Sequence, residues 1–224
     1  MSVQNSKYVI NLDVDGGDNA PSSVLNGAEL YLKSNQDVRF NLFGRRSIID
    51  IHIKNLPLLL NSSNTIECEG VIDGNLKPTE AMKKEFRHSS LAKSIFSLKN
   101  QPLEATVSSG NTGAMMAYSK VFLRTVENIS RPAIASLFPS KNHPVCFLDL
   151  GANSECDENN LYDFAIMGSI YYQILFPKST CKVSLLNIGS EELKGNAVIQ
   201  KTHELLKNSK SINYNGFIEA NNIT

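Results

Sequence analysis

The sequence alternates short apolar runs with longer segments of helical periodicity, and this alternation most constrains the fold. The boundaries carry Gly, Pro, Asn or Asp, which favour turns. The rhythm predicts an α/β fold with a mostly parallel sheet and helices on both faces. Neither a repeat nor a linker interrupts it, so residues 1–224 are expected to form a single domain. The predicted strands are residues 8–12, 38–43, 65–68, 103–107, 133–138, 145–150, 182–188 and 212–218, and the predicted helices open at residue 20 and cover 47–54, 79–98 (with a break near 88–90), 113–126, 161–176 and 191–207.

Composition and charge exclude several classes of function. Lys and Arg together number 22, as do Asp and Glu, so nothing indicates a nucleic-acid groove or a polybasic membrane anchor. The longest apolar stretches are far shorter than the ~20 residues that span a bilayer. Polar residues 1–7 lead directly into a strand, so no signal peptide is predicted. The four cysteines are too irregularly spaced for a zinc or redox motif, and we expect reduced thiols, no cofactor and a cytoplasmic location.

Four predicted strands end in loops that are rich in glycine and polar residues. In open α/β sheets, ligands bind in the crevice beyond the carboxyl ends of the strands. These loops are therefore the candidate functional site. They cover residues 13–18, 108–113, 149–154 and 187–196.

The loop at residues 108–113 has the composition of an anion site. Its glycines let the main chain approach a ligand, its Ser, Asn and Thr side chains offer donors, and the following helix directs N–H groups at whatever binds there. The same residues suit a tight turn with capping side chains, so both interpretations stay open for this loop alone. It is neither a Walker loop nor a GxGxxG loop. The candidate phosphate-binding residues are Ser109, Gly110, Asn111, Thr112 and Gly113.

The other three loops supply weaker candidates. Asp13, together with Gly16 and Gly17, either shapes a pocket or holds its own loop together. Asn153 suits a simple turn as well as a catalytic site. Lys194 is either a solvated surface lysine or a point charge directed at a phosphate.

Motifs of the common hydrolases are missing from the chain. There is no GxSxG elbow and no HExxH motif. An enzyme with this sequence would therefore take its nucleophile from a substrate. The histidines predicted to be solvated or structural are His52, His88, His143 and His203.

In combination, the loop sequences resemble those of the phosphate acyltransferases of bacterial phospholipid synthesis, also called fatty acid/phospholipid synthesis proteins. The resemblance covers nearly the whole chain, and so many motifs in one order do not arise by chance. The matching runs are Asp13-x-x-Gly16-Gly17-Asp18-x-Ala20-Pro21, Ser89-Ser90-Leu91, Ser108-x-Gly110-Asn111-Thr112-Gly113-Ala114, Arg131-Pro132-Ala133, Leu148-Asp149-Leu150-Gly151-Ala152-Asn153, Phe164-Ala165-Ile166-Met167-Gly168-Ser169, Leu185-Leu186-Asn187-Ile188-Gly189-x-Glu191, Lys194-Gly195-Asn196 and Asn213-x-x-Gly216-x-Ile218-Glu219.

This resemblance implies a three-layer fold like those of isopropylmalate dehydrogenase and phosphotransacetylase. It also implies transfer of a fatty acyl group from acyl carrier protein to inorganic phosphate, which gives acyl phosphate for membrane phospholipid synthesis. Residues 109–113 would hold the phosphate, Lys194 would offset negative charge, and Asn153 and Asp13 would border the pocket. A homodimer with peripheral membrane contact is implied as well.

Two departures from the family pattern bear on activity. Val14-Asp15 stands where the family usually has Ala-Met, and a carboxylate near bound phosphate is expected to weaken activity. The chain also lacks the family's C-terminal third, which is expected to supply a further strand, a second glycine–asparagine loop and a helical hairpin for dimerisation and membrane contact.

Three alternatives to an active phosphate acyltransferase stay open at this stage. One is a phosphotransacetylase-like enzyme that uses acyl-coenzyme A. Another is an inactive fragment that serves as a carrier-protein binding module. A metal- or NAD-dependent dehydrogenase is supported by the fold alone, and fold alone does not establish function.

Overall fold

A computed structural model describes residues 8–99, 101, 104–141, 143–189, 191 and 194–223 of the chain. These residues separate into two compact units. The first unit ends at Arg124 and the second begins at Thr125, and each is described by itself. The expected single domain over residues 1–224 stays a prediction.

The first unit alternates strands and helices as the sequence predicts. Its elements are β1 (Tyr8–Asp13), α1 (Ser22–Leu32), β2 (Val38–Gly44), α2 (Arg46–His52), α3 (Pro57–Asn61), β3 (Ser63–Glu67), α4 (Pro78–Ala81), α5 (Ser90–Ser97), β4 (Glu104–Val107) and α6 (Thr112–Phe122). The four strands are parallel and lie in the order β3-β2-β1-β4. The predicted α/β fold with a parallel sheet flanked by helices is thereby confirmed.

Helices cover both faces of this sheet because successive strand residues point to opposite sides. One face of β1 and β2 shares an apolar core with α1, α2 and α3. On the other face, α5 packs against β1 and β2, and Asn11 of β1 is fully buried there. The Asn11 side chain donates to Ser97 Oγ at 2.7 Å and accepts from Asn41 Nδ2 at 2.8 Å. A buried polar network therefore joins the sheet to α5.

The helix predicted at residues 79–98 is broken, as expected. After α4, a single 3-10 turn covers Lys84–Phe86, and α5 then begins at Ser90. Ser89 caps α5 by accepting a hydrogen bond from the main-chain N–H of Ala92 at 3.3 Å. Ser90 is thus the first residue of α5, a position that matters for the site described below.

The second unit contains short sheets and two longer helices. Its elements are β5 (Ser136–Phe138), β6 (Val145–Phe147), α7 (Glu158–Leu175), β7 (Val183–Leu186), α8 (Ala197–Lys207) and β8 (Tyr214–Ile218). β7 and β8 are parallel, whereas β5 and β6 are antiparallel. The antiparallel pair departs from the predicted parallel rhythm because only residues 139–144 connect its strands, too few for a parallel crossover.

Two helix starts in the second unit differ from prediction. α7 begins before the predicted residue 161, because Asp157 and Asn160 form a reciprocal capping box. α8 begins after the predicted residue 191, because Asn196 caps it by accepting from Ile199 N at 3.0 Å. Among the described residues, no helix combines the length and apolarity needed to cross a membrane.

Candidate functional site

Two of the predicted loops, residues 13–18 and 108–113, lie against each other in the first unit, and we call them together the two-loop site. They follow β1 and β4, which are neighbours in the sheet with Leu12 opposite Val107. The Ser109 hydroxyl donates to the carbonyl oxygen of Gly16 at 2.8 Å. Parallel neighbouring strands thus bring together two loops that are about 95 residues apart in the sequence.

The Asp13 carboxylate lies at the centre of the two-loop site and is 1% exposed. It accepts a 2.5 Å hydrogen bond from Ser90 Oγ and a 2.7 Å hydrogen bond from Ser108 Oγ. Burial raises the pKa of Asp13, the two hydroxyl donors oppose that shift, and the neighbouring Asp15 carboxylate adds to it. The scaffold interpretation of Asp13 therefore has direct geometric support, because its side chain ties β1 to α5 and to the second loop.

Glycine is required where the two loops touch. A Cβ atom on Gly16 would lie 2.3 Å from Asp13 Oδ2 and 3.2 Å from the Cα of Gly110. Gly17 has a φ of +106°, and a Cβ there would lie 2.6 Å from Ser109 Oγ. The main chains of both loops therefore approach more closely than side chains would permit.

Asn111 caps α6 and also anchors the chain beside it. Its Oδ1 accepts from the main-chain N–H of Ala114 at 2.8 Å. Its Nδ2 donates to the carbonyl oxygens of Asp73, Gly74 and Leu76 at 2.8 to 3.1 Å. The Asn111 side chain is therefore committed to structure, which narrows its predicted part in phosphate binding to holding the loop in place.

The start of α6 leaves main-chain donors open. The first N–H groups of an α-helix have no partner within the helix. In the described part of the first unit, the N–H groups of Thr112 and Gly113 have no acceptor, whereas that of Gly110 is held by Ser108 Oγ at 3.0 Å. Thr112 and Ser109 are exposed. These donors and the helix dipole favour an anion.

Asp15, the carboxylate expected to weaken activity, has a charge that is partly offset. Its side chain is fully buried, and Oδ2 lies 3.3 Å from Nε of Arg45, whose side chain is 47% exposed. The same oxygen accepts from the main-chain N–H of Arg45 at 3.1 Å. The expected weakening of activity by Asp15 stays a prediction, but Arg45 supplies a counter-charge that the sequence did not indicate.

In the second unit, Asn153 belongs to a turn organised by Asp149. Asn153 Nδ2 donates to Asp149 Oδ2 at 2.9 Å and to the carbonyl oxygen of Pro132 at 2.9 Å. Asp149 also accepts from the main-chain N–H groups of Ile134, Ala152 and Asn153. Burial acts to raise the pKa of Asp149, but these hydrogen bonds outweigh it and lower the pKa below its ordinary value.

Lys194 lies on another loop of the second unit, between β7 and α8, and is exposed. Its carbonyl oxygen accepts hydrogen bonds from Asn187 Nδ2 at 3.0 Å and from Gln200 Nε2. Gly195 has a φ of +98°, and a Cβ there would lie 2.8 Å from Asn187 Oδ1. The main chain around Lys194 is thus fixed while its side chain stays accessible.

Most of the predicted site residues lie together in the two-loop site, whereas the remaining two lie on other loops. Asn153 and Lys194 lie on different loops of the second unit. Sequence reasoning missed Ser90, Ser108 and Asp149 as organising residues, although each lies in a run that carried the family resemblance. The subset gathered in the two-loop site is Asp13, Gly16, Gly17, Ser109, Gly110, Asn111, Thr112 and Gly113.

His203 is the histidine that joins two elements of the second unit. It is 7% exposed, its Nδ1 lies 2.8 Å from the hydroxyl of Tyr214, and its ring stacks on Phe217 with centroids 4.5 Å apart. This ring joins α8 to β8 within the second unit. Of the two predicted alternatives, solvated or structural, the structural one is confirmed for His203.

The fold and these loops define an α/β protein with a candidate site at the carboxyl ends of parallel strands. A family model described as "Fatty acid synthesis protein" matches residues 8–224. The chain therefore belongs to the fatty acid synthesis protein family, which confirms the resemblance seen in the sequence.

Curated relatives carry the name phosphate acyltransferase. The protein from Wolbachia pipientis wMel is 41% identical over 224 residues, which cover 98% of this chain and 65% of the relative. The protein from Pelagibacter ubique (strain HTCC1062) is 39% identical over 96% of this chain and 64% of the relative. The protein from Shewanella sp. (strain ANA-3) is 39% identical over 95% of this chain and 62% of the relative. The chain thus spans slightly less than two thirds of the length of these relatives.

Proposed function

We propose that this chain carries the phosphate-binding part of an acyltransferase that moves a fatty acyl group from acyl carrier protein to inorganic phosphate. The product would be an acyl phosphate for membrane phospholipid synthesis. The observation that carries this proposal is the two-loop site, where open N–H groups at the start of α6 lie beside two closely packed glycine loops. The family and the name of the relatives supply the acyl-transfer chemistry.

The proposed reaction needs no protein nucleophile. A phosphate oxygen attacks the thioester carbonyl carbon, the C–S bond breaks, and the carrier thiolate leaves and takes up a proton. Holding phosphate beside the thioester supplies the proximity contribution. Main-chain donors that meet the developing oxyanion supply the electrostatic contribution, and loss of one such donor costs on the order of 100-fold in rate.

Each site residue has a distinct part in this proposal. The N–H groups of Thr112 and Gly113 and the side chains of Ser109 and Thr112 bind phosphate. Asp13 and the glycines fix the geometry of the two loops. Lys194 offsets negative charge on the phosphate or the oxyanion, and Asn153 borders the pocket. We also propose that the longer proteins of this family form homodimers and contact the membrane.

Phosphate binding is tested by removing one main-chain donor without disturbing the helix. Thr112 is the first residue of α6, where proline is well tolerated, and the extended backbone of Asn111 suits a residue before proline. A hydrogen bond to a charged group contributes about 1.5–3 kcal/mol, so Thr112→Pro should weaken phosphate binding about tenfold or more. The matched variant Thr112→Ala keeps the N–H and shows the contribution of the hydroxyl.

Phosphate titration followed by ³¹P NMR would measure both variants. Equal affinity of Thr112→Pro and Thr112→Ala would rule out the proposed donor. A titration in which sulfate competes with phosphate, carried out first, tests whether the site prefers a tetrahedral anion. This measurement does not depend on acyl transfer.

Acyl transfer is tested separately, in a protein completed with the unmatched part of the Wolbachia pipientis wMel relative. Acyl phosphate formation would be trapped with hydroxylamine, with acyl carrier protein and coenzyme A thioesters compared as donors. Lys194→Ala should abolish turnover and leave the fold intact. Lys201→Ala, which removes an exposed lysine paired with Glu158, is the control. Near-normal turnover of Lys194→Ala would exclude the role of that lysine.

A further inference from the structure

Three side chains are hydrogen-bonded at the centre of the two-loop site, and Ser108 is the one among them that solvent reaches. Asp13 and Ser90 are each 1% exposed, whereas Ser108 is half-buried. Ser108 directly follows β4, on the same loop as the open N–H groups of Thr112 and Gly113. A ligand at the start of α6 can therefore reach the Ser108 hydroxyl, while the other two side chains are closed to it.

The glycine at position 110 leaves this hydroxyl uncovered. A Cβ atom on Gly110 would lie 3.2 Å from Ser108 Oγ and 3.1 Å from the Cα atom of Gly16. Any other residue would therefore place a side chain against the hydroxyl and between the two loops. The close approach of the two main chains thus keeps Ser108 Oγ accessible to a small ligand.

The proton of the Ser108 hydroxyl is already committed. A serine hydroxyl has one proton to donate and two lone pairs that accept. Ser108 donates its proton to Asp13 Oδ2 at 2.7 Å, and the main-chain N–H of Gly110 donates to one of its lone pairs at 3.0 Å. An ionised carboxylate only accepts and a main-chain N–H only donates, so the direction of both bonds is fixed. Among the residues that the structure describes, no other group bonds to this hydroxyl, which therefore presents a single acceptor to a ligand.

The ionised form of Asp13 is what holds this arrangement. Burial raises the pKa of Asp13, and the neighbouring Asp15 carboxylate adds to the rise. The hydroxyls of Ser90 and Ser108 and the main-chain N–H of Gly16 oppose it, because all three donate to the charged form. A protonated Asp13 would release the Ser108 proton, so a mildly alkaline pH is the condition under which Ser108 acts only as an acceptor.

We propose that Ser108 is a specificity-determining residue, which accepts the proton of hydrogen phosphate and so selects this anion over sulfate. The inference rests on the proposed phosphate site and specifies the form of phosphate that the site takes. The hydrogen phosphate dianion and sulfate have the same charge and nearly the same shape, but only hydrogen phosphate has a proton to donate. With sulfate, a lone pair of Ser108 would face an anionic oxygen, and neither atom could supply a proton. The site would thus discriminate by a hydrogen bond rather than by charge or size.

Ser109 is the nearest alternative for this role, but its hydroxyl is in a different environment. It is exposed and donates to the neutral carbonyl oxygen of Gly16. A proton held by a neutral acceptor can turn towards an anion, because a charge-assisted hydrogen bond is roughly twice as strong as a neutral one. The proton of Ser108 is already held by a carboxylate. Ser109 can therefore donate to either anion, whereas Ser108 can donate to neither.

The same contact would orient phosphate for the proposed reaction. The protonated oxygen would point at Ser108, so the oxygens without a proton would be left to attack the thioester carbonyl carbon. Ser108 would thereby position the nucleophile, and the proton would stay on the phosphate during the attack.

The test measures the dissociation constants of phosphate and sulfate on the full 224-residue chain, by calorimetry at about pH 8 and constant ionic strength. The parent should bind phosphate about tenfold or more tightly than sulfate, because a charge-assisted hydrogen bond replaces a contact between two acceptors. Arsenate, which also keeps a proton, should bind like phosphate, and selenate, which has none, should bind like sulfate. These four anions separate recognition of a proton from recognition of size on the unaltered chain.

Three variants assign the discrimination to one hydroxyl. Ser108→Ala removes the acceptor and frees the N–H of Gly110, so the preference for phosphate over sulfate should disappear. Ser108→Thr keeps the hydroxyl and should keep the preference. Ser109→Ala is the matched control, and it should weaken both anions alike and leave their ratio near that of the parent.

Several results would overturn the inference. Equal affinities of the parent for phosphate and sulfate would do so, and the proposed phosphate site would still stand if Thr112→Pro weakened both. Binding of neither anion would overturn both proposals. A preference that persists in Ser108→Ala, or that is lost in Ser109→Ala instead, would exclude the role of Ser108. If the Ser108 variants do not fold, the parent decides, because arsenate that binds no better than selenate would rule out recognition of a proton.

Discussion

The close contact between the two loops of the first unit predicts that Gly16→Ala is strongly destabilising. The new methyl group would lie 2.3 Å from Asp13 Oδ2, well inside van der Waals contact. That oxygen cannot move freely because it accepts the hydrogen bond from Ser108. Overpacking costs about 1–3 kcal/mol, and a disrupted buried hydrogen bond costs about 1–3 kcal/mol more. We therefore expect the free energy of unfolding to fall by about 2–5 kcal/mol.

Gly27→Ala is the matched control for this substitution. Gly27 lies within α1, and a Cβ atom there would meet nothing within 4 Å. Alanine is favoured over glycine inside a helix by about 0.5–1 kcal/mol, so this variant should be slightly more stable than the parent. The same chemical change is thus expected to act in opposite directions at two positions of one unit.

Cys68 reports the unfolding of the first unit specifically. It is the one cysteine among residues 1–124, it is 1% exposed, and burial raises its pKa to about 11. Pulse alkylation of this thiol across a urea series, read by mass spectrometry, measures the fraction unfolded. With a urea dependence of about 2 kcal/mol per M, Gly16→Ala should lower the midpoint by about 1 M or more. An unchanged or higher midpoint would refute the close packing of the two loops.

Two further predictions concern side chains that hold loops in place. Asn111→Ala removes a helix cap, worth about 1 kcal/mol, and takes the donor from three carbonyl groups of residues 73–76, so we expect a loss of about 2 kcal/mol or more in the same Cys68 assay. Asn111→Ser keeps a capping oxygen without placing a charge against those carbonyl groups, so it should lose less; equal losses would contradict this division. The lowered pKa of Asp149 contributes stability that is complete above its ordinary pKa of about 4 and is lost as the pH falls through its folded value. Asp149→Asn should therefore be less stable than the parent at pH 7 but lose less stability between pH 5 and pH 3 in urea titrations, and parallel acid profiles would contradict that assignment.

The sequence predicted the elements of the first unit well because their pattern is local. Periodicity and turn residues locate β1, β2, α1 and α6, and the composition of residues 108–113 already suggested an anion site. α3 was not predicted, because Pro57–Asn61 is a short apolar run that periodicity cannot assign. Local pattern therefore suffices for elements that are long or clearly bounded.

The parts of the site that escaped prediction depend on distant contacts. Ser90 reaches Asp13 across 77 positions, and Ser108 reaches it across 95. Neither pairing follows from local composition, because it requires β4 to lie beside β1 and α5 to cover that face of the sheet. Asp149 likewise became visible as an organiser only when its four donors were seen in space.

The two units are expected to contribute differently to the active site: the first unit to phosphate binding, and the second unit to turnover. In the first unit, Asp13, Ser90, Ser108 and Asn111 hold the two-loop site with contacts from that unit alone, so phosphate binding should not require further chain. In the second unit, the loops that carry Asn153 and Lys194 follow β6 and β7. Because Asn153 holds a turn of the second unit, Asn153→Ala should lower the turnover of the completed protein while leaving its phosphate affinity unchanged. An Asn153→Ala variant that lost phosphate affinity as much as turnover would contradict this division of labour.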